Sequence, residues 1–256
     1  MRKILKILAC FLAAIITAAL SFTIYAVNVT ASTRFDSTKL ITFKENTVFY
    51  DNQNKKMADT TKHTVTVKLS DLPSHVKHSF IAIEDKRFYS HKGIDYRRIF
   101  SAAKKNVFSR SLKEGASTIS QQLIKNTHLS NEKTIKRKLK EIKLTLELEK
   151  KYSKDEILEM YLNTIYFGDG AYGIQSAASN YFSKDARDLT IEQSALLAAI
   201  IKAPSTYSPF DNPEKALKRR NLVLRCMKEQ GYISPKEYEA CTLLPLSLNK
   251  QTKTAG

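Results

Sequence analysis

The sequence is short of the residues that build several familiar classes of protein. Three cysteines in 256 residues are too few for a disulfide framework. Seven glycines and six prolines exclude a low-complexity chain. Acidic residues are also scarce, because 25 Asp and Glu stand against 42 Lys and Arg, which gives a formal net charge of +17. With 43% hydrophobic residues, the chain can nevertheless bury the core of one or two ordinary domains.

Several motifs that carry chemistry are missing as well. The sequence has no Cys/His metal cluster, no glycine-rich phosphate loop and no G-x-S-x-G nucleophile elbow. No repeat recurs at a fixed period, which argues against a solenoid or a propeller. The chemistry must therefore be sought among carboxylates, amides and cations.

One long hydrophobic run is present, and it lies at the N-terminus. Residues 7–27 are apolar apart from three hydroxyl side chains, and they follow Arg2, Lys3 and Lys6. As a helix this segment would span about 30 Å, the thickness of a bilayer core. The positive flank predicts a cytoplasmic tip at residues 1–6, a transmembrane anchor at 7–27 and an extracytoplasmic body. The alternative is a signal peptide cleaved near residues 29–31.

The excess of positive charge in this predicted ectodomain calls for an anionic partner. Nucleic acid is the usual partner of such a basic chain, but an outward-facing domain tethered to a membrane does not meet it. Anionic lipid head groups or a phosphorylated substrate fit the location better.

Beyond the anchor, the pattern changes from short strands to helices. Residues 28–64 are predicted to be a linker with strands at 47–50 and 64–67 and a turn at 51–56. Apolar residues at helical spacing then predict a mainly α domain over residues 65–245, with residues 246–256 as a tail. Ser153 and Thr190 occupy predicted N-cap positions. The predicted helices cover residues 120–126, 132–151, 154–165, 190–202, 213–230 and 234–241, and the last two carry Cys226 and Cys241, either bonded or as free thiols.

The segment 96–113 is amphipathic and strongly basic. Tyr96, Ile99 and Phe100 begin an apolar stripe that basic residues surround. An ordinary core helix with a solvated face would show this pattern. A helix resting on a bilayer would show it too, and the neighbouring anchor favours that interpretation.

Two carboxylates stand in surroundings that suit chemistry. Glu84 ends the apolar run at residues 80–83, and a carboxylate at the edge of an apolar segment can serve as an acid or a base. Glu141 lies four residues after Arg137, so its plainest interpretation is a surface salt bridge. Between them in sequence, the polar stretch at residues 115–118 precedes a predicted helix, and Gln121 and Gln122 lie in its first turn. Anions bind well at the N-terminus of a helix.

Five ordered blocks of sequence resemble the peptidoglycan glycosyltransferases, the lysozyme-like family that polymerises lipid II. The blocks are residues 84–93 (EDKRFYSHKG); residues 115–123 (GASTISQQL) with Lys125 and Asn126; Arg137, Lys138 and Glu141; residues 157–163 (ILEMYLN) with 166–168 (YFG); and Glu192, Ala195, Leu197, Ala198, Pro204 and Pro209. The similarity covers about residues 65–235. No penicillin-binding transpeptidase domain follows, so the resemblance is strongest to the monofunctional biosynthetic transglycosylases, which are related to the glycosyltransferase domain of class A penicillin-binding proteins.

This resemblance implies a lysozyme-like, two-lobed fold and assigns roles to residues. Glu84 would be the general base that activates the 4-hydroxyl of the acceptor lipid II, and a polyprenyl pyrophosphate would leave with inversion to a β-1,4 link. Glu141 would be a second essential carboxylate, acting at the pyrophosphate or through a divalent ion. The implied substrate-binding residues are Lys125, Lys133, Arg137, Ser117, Thr118, Gln121, Asp85 and His91. Arginine is common in the family where Lys133 stands, and lysine lacks its bidentate fork.

The same resemblance sets the expected surroundings. It implies lipid II and the growing glycan chain as ligands, the bacterial cytoplasmic membrane as location, and cell-wall synthesis or division proteins as partners. No nucleic acid and no organic cofactor are expected, while Mg²⁺ or Mn²⁺ is a possible cofactor. A lysozyme-like glycan hydrolase is the main alternative enzyme, and a catalytically silent cell-wall scaffold is the alternative from another class.

Overall fold

The computed structural model describes residues 2–41, 49–50, 56–58, 66–109, 117–130, 132 and 134–249. Within them the chain forms eleven α-helices and two short hairpins, which confirms the mainly α prediction. The helices are α1 (Arg2–Thr30), α2 (Thr38–Ile41), α3 (Ser74–Glu84), α4 (Tyr96–Ser109), α5 (Ile119–His128), α6 (Ile135–Lys151), α7 (Lys154–Thr164), α8 (Ile174–Phe182), α9 (Ile191–Ile200), α10 (Pro213–Glu229) and α11 (Pro235–Leu243).

Helix α1 contains the predicted anchor. It runs from Arg2 to Thr30, none of its residues is buried, and it is long and apolar enough to cross a membrane. Its C-terminal end reaches α6, where Lys143 Nζ donates to the carbonyl oxygen of Thr30 at 2.9 Å. A cation at the last carbonyl of a helix meets the negative end of the helix dipole.

The chain just after α1 packs on the domain. The ring of Phe35 stacks on His128 with centroids 5.2 Å apart, and His128 Nε2 lies 2.9 Å from the carbonyl oxygen of Asp36. Leu40 in α2 is buried in the main core. The segment between anchor and domain is thus docked against α5 over residues 35–40.

The hairpins differ in part from the predicted strands. Strands β1 (Phe49–Tyr50) and β2 (Lys56–Ala58) pair antiparallel, as do β3 (Tyr166–Gly168) and β4 (Ala171–Tyr172). The strand predicted over 64–67 is wrong where it is described, because residues 66 and 67 belong to no strand. Val67 instead pairs its N–H and carbonyl with the side-chain amide of Asn163, both at 2.9 Å.

Helix α9 lies at the centre of the core. Eight of its ten residues are buried, and it packs against α3 and α10. The predicted N-caps are confirmed, because Thr190 with Gln193 and Ser153 with Glu156 form capping boxes at the starts of α9 and α7. Cys226 and Cys241 are both free thiols. Side chains from α3, α5, α6 and α10, and from the residues that follow α9, line one site.

Helix α4 does not bury the apolar stripe at its start. Tyr96 and Phe100 are 70% and 76% exposed, and Ile99 is also exposed. The core-helix interpretation is therefore wrong for these three side chains. An exposed apolar row on a basic helix is typical of a surface that meets a membrane or a partner.

Candidate active site

Glu84 is the last residue of α3, and the helix packing determines where it points. Val76, Phe80 and Ile81 are buried on the core side of α3, whereas Glu84 is half-buried and lines a cavity. The helix stops because Asp85 leaves helical geometry (φ −155°, ψ 69°). The carbonyl of Glu84 then accepts a hydrogen bond from the guanidinium of Arg98 in α4.

A chain of neutral hydrogen bonds holds the Glu84 carboxylate. Gln122 Nε2 donates to Glu84 Oε2 at 2.7 Å, and the hydroxyl of Tyr161 donates to Gln122 Oε1 at 3.1 Å. Tyr161 is fully buried, and its pKa is raised well above the usual value by burial and by the nearby charges of Glu84 and Asp85. The phenol therefore stays protonated and fixes which side of the Gln122 amide faces Glu84.

Asp85 joins the end of α3 to the start of α5. Its carboxylate is completely buried, accepts from the N–H of Ile119 at 3.0 Å and lies 3.0 Å from His91 Nε2. Thr118 is equally buried and donates to the carbonyl of Gly93 at 2.6 Å. Gly93 needs to be glycine, since its φ is +85° and a Cβ would lie 2.9 Å from Thr145.

Three of the expected ligands lie outside the cavity lining. Asp85, His91 and Thr118 were expected to touch substrate, but the Asp85 carboxylate, His91 Nε2 and the Thr118 hydroxyl are engaged within the protein, and none of the three residues lines the cavity. Thr118 is instead the N-cap of α5, in a capping box with Gln121. These contacts join the end of α3, residues 91–93 and the start of α5, and binding of substrate by the three residues stays a prediction.

Glu141, in α6, lines a cavity together with Glu84 and is paired with cations. Its side chain is 2% exposed, with Arg137 Nη1 at 2.8 Å from Oε2 and Lys138 Nζ bonded to Oε1. Lys138 Nζ also lies 3.3 Å from Ser117 Oγ. The predicted salt bridge between Arg137 and Glu141 is therefore confirmed, but its expected place on the surface is wrong, because the carboxylate is buried beneath its two partners.

The two carboxylates line one cavity of about 280 Å³, which we call the carboxylate cavity. Of the expected ligands, Ser117, Gln121 and Lys125 line it with them, while Arg137 reaches it through Glu141. Lys133 lies outside the described residues. The full lining is Ile83, Glu84, Arg98, Ser117, Gln121, Gln122, Lys125, Glu141, Ile201, Lys202 and Arg219.

Sequence reasoning missed three of the cations in this lining. Arg98, Lys202 and Arg219 come from α4, from the residues after α9 and from α10, far apart in sequence. Arg98 had been interpreted only as part of the basic face of segment 96–113. Lys202 follows the apolar run at residues 195–201 and comes just before Pro204, and that position is a weak signal that it lies at the edge of the core. Arg219 gave no separate signal in a lysine-rich helix.

A second cavity of about 420 Å³ shares Gln122, Lys125 and Ile201 with the first, and we call it the tyrosine cavity. Tyr166 and Tyr172 line it with ring centroids 4.5 Å apart. Aromatic rings beside amide and hydroxyl groups suit a polar ring-shaped ligand such as a sugar.

The residues at Glu141 do not suit a divalent metal ion held by the protein. Both carboxylate oxygens are engaged by cations, and the described part of the chain brings no three His, Cys, Asp or Glu together as ligands. Hard cations prefer several oxygen ligands. A role for Mg²⁺ or Mn²⁺ stays a prediction from the resemblance.

Comparisons with known proteins show the family of this chain. A model of the Transglycosylase family matches residues 50–228. Penicillin-binding protein 1F of Bacillus subtilis is 44% identical over 221 residues, which cover 86% of this chain and 31% of that protein. Penicillin-binding protein 1A of Aquifex aeolicus is 46% identical over 187 residues, covering 73% and 26%.

A crystal structure of penicillin-binding protein 1A from Haemophilus influenzae matches with a TM-score of 0.45 and 27% identity, covering 73% of this chain and 18% of that one. The chain spans about a third or less of the length of the two curated relatives named above. The family match covers more than half of this chain and includes both Glu84 and Glu141. The chain belongs to the transglycosylase family, the family of the glycosyltransferase domain of class A penicillin-binding proteins.

Proposed function

We propose that this protein is a peptidoglycan glycosyltransferase that polymerises lipid II into β-1,4-linked glycan with inversion and release of polyprenyl pyrophosphate. The observation that carries the proposal is one cavity with two carboxylates in opposite surroundings. Glu84 is held by a neutral amide, whereas Glu141 is paired with two cations. A base that must accept a proton needs neutral partners, and a group that must hold cations in place needs to be paired with them.

Glu84 is the general base in this proposal. A sugar hydroxyl is a weak nucleophile, and a carboxylate that takes its proton as the bond forms accelerates the attack. Gln122 donates a hydrogen bond to Glu84 Oε2, and the Tyr161 hydroxyl donates one to Gln122. The hydrogen bond that the described residues give to this carboxylate thus comes from a neutral amide and not from a cation.

The cations of the carboxylate cavity stabilise the leaving pyrophosphate. Arg98, Lys125, Lys202 and Arg219 line the same space as Glu84. Charge that develops on the departing oxygen is stabilised best by cations already fixed in a site that excludes water. Glu141 contributes by holding Arg137 and Lys138 at the cavity edge.

The apolar surfaces support a location at a membrane. Helix α1 is the single-pass anchor in this proposal, with residues 1–6 in the cytoplasm and the domain outside a bacterial cytoplasmic membrane. The exposed Tyr96, Ile99 and Phe100 of α4 would rest on the same bilayer. A lipid-linked substrate could then reach the cavity without leaving the membrane.

The test is incubation of the detergent-solubilised chain with labelled lipid II, beside a Glu84→Gln variant. We expect longer glycan from the wild type and none from the variant. Shortening of preformed glycan by the wild type would instead support the hydrolase. If both proteins make polymer, the base is not Glu84. If neither does while lipid II still binds, the chain is a scaffold.

A further inference from the structure

Another cavity adjoins the carboxylate cavity and shares only Arg219 with it. It is a groove of about 520 Å³ between α10, α11 and the loop after α9, and we call it the basic groove. Its lining residues are Thr206, Tyr207, Lys215, Lys218, Arg219, Asn221, Leu222, Arg225 and Tyr238. Four of these nine side chains are cationic and none is acidic.

The helical spacing explains why the cations face one way. Lys215, Lys218, Arg219 and Arg225 recur at intervals of three, four and six or seven residues, so they share one face of α10. The other face is the core side, where Ala216, Val223 and Leu224 are buried with two further residues of the helix. The groove is thus a surface concentration of positive charge on a rigid element.

Arg219 connects this groove to the carboxylate cavity. Its side chain lines both spaces, its Nε donates to the carbonyl of Ala199 at 3.0 Å, and its guanidinium lies 4.8 Å from the ring centre of Tyr207. A guanidinium held by a carbonyl and an aromatic face stays in one place. A ligand in the carboxylate cavity can therefore continue past Arg219 into the groove.

We propose that the basic groove binds the carboxylate-bearing peptide that lipid II carries on its sugar. This inference rests on the function proposed above. The charge of the groove matches an anionic peptide, and Tyr207, Leu222 and Tyr238 offer apolar surface to its side chains. Continuity with the carboxylate cavity favours a part of the substrate over an independent anionic lipid.

The experiment compares two lipid II preparations, one with the native peptide and one whose peptide carboxylates are converted to amides. The variant is Lys215→Gln with Lys218→Gln, because both lysines are exposed and neither lines the carboxylate cavity. The control is Lys150→Gln with Lys236→Gln, which removes the same charge from exposed positions outside the groove. Initial rates give kcat and KM for each full-length protein.

We expect the groove variant to raise KM for native lipid II by about three- to tenfold, the effect of two solvent-exposed ion pairs. Its kcat and its KM for the amidated substrate should equal those of the control. An equal loss on both substrates, or no loss on either, would overturn the peptide site while polymer formation by the wild type still supports the proposed function.

The remaining outcomes are also decisive. If the wild type makes no polymer from either substrate, the proposed function fails and this inference fails with it. Vesicles of phosphatidylglycerol and phosphatidylethanolamine provide the last arm. If the groove variant loses vesicle binding but keeps the wild-type KM for native lipid II, the groove is a lipid head-group site and not a peptide site.

Discussion

Glu84 and Glu141 are the same residue type in the lining of one cavity, and their direct partners differ. Glu84 ends a helix and receives a hydrogen bond from the Gln122 amide, while Glu141 lies inside α6 and is paired with Arg137 and Lys138. The difference teaches that a carboxylate's role follows from its partners. A carboxylate committed to two cations organises charge, and one held by an amide can accept a proton.

The largest effect should come from removing the proposed base without changing its shape. Glu84→Gln is expected to lower kcat by about 10²–10⁴, the usual contribution of general base catalysis, while lipid II still binds. Single-turnover rates and a separate binding measurement on the full chain provide the check. A wild-type kcat for Glu84→Gln would show that Glu84 is not the base, and the proposed difference in role between the two carboxylates would be wrong.

Glu141→Gln should act mainly through the cations it leaves behind. Breaking a buried ion pair costs several kcal/mol, but Lys138 is partly exposed, so we expect a loss of about 2–3 kcal/mol in the free energy of unfolding. A rise in KM should accompany it. Glu147→Gln on the same helix is the matched control, as that residue does not line the cavity. Equal unfolding midpoints for the two variants would contradict the prediction.

Tyr161→Phe tests whether the buried phenol positions Gln122. Loss of one hydrogen bond of about 1 kcal/mol should lower kcat several-fold and leave KM unchanged. The substitution should have no further effect in a Gln122→Ala background, because Tyr161 acts through that amide. Tyr181→Phe is the control, since this tyrosine is also fully buried but bonds to Phe167 and Asp169. Additive losses in the double variant would make Tyr161 a packing residue only.

The smallest effect concerns the support of the Glu84 wall by Asp95. Burial pushes the pKa of Asp95 up, but hydrogen bonds from Arg87 and from the N–H of Arg98 outweigh it, and the pKa is lowered. The folded-state pKa thus lies below the unfolded one, so the stability that Asp95 contributes is present above about pH 4 and is lost as pH falls through the folded pKa.

Asp95→Asn removes the charge that pairs with the partly exposed Arg87, so it should cost about 0.5–1 kcal/mol at neutral pH and progressively less as the solution is acidified below about pH 4. Thermal unfolding of both proteins between neutral and acidic pH measures the difference. Asp188→Asn, at an exposed position, should leave stability unchanged throughout. A constant gap between wild type and Asp95→Asn at every pH would rule out this account.

Local patterns were enough to predict much of the helical framework. The helix predicted over 154–165 is α7 (Lys154–Thr164), and the one predicted over 213–230 is α10 (Pro213–Glu229), because capping residues and prolines mark their ends. The strand predicted at 64–67 was wrong in its described part, since β-branched residues there could not reveal that the Asn163 amide would take the hydrogen bonds of Val67.

The residues of the candidate site that lie in the family's sequence blocks could be predicted from the sequence. Glu84, Ser117, Gln121, Lys125 and Glu141 belong to blocks that the family resemblance identified, and all five line the carboxylate cavity. The presence of Arg98, Lys202 and Arg219 in the cavity was not predicted. A chain with many lysines and arginines gives no local sign of which of them come together in the fold.

The sequence by itself determined an apolar N-terminal helix, a mainly α domain and the family, because these depend on composition, periodicity and ordered motifs. Only the tertiary structure decided that Asp85 is buried while its neighbour Glu84 faces a cavity, and that Glu141 is buried beneath two cations. Burial and charge pairing depend on which helices pack together, and those contacts join residues that lie far apart along the chain.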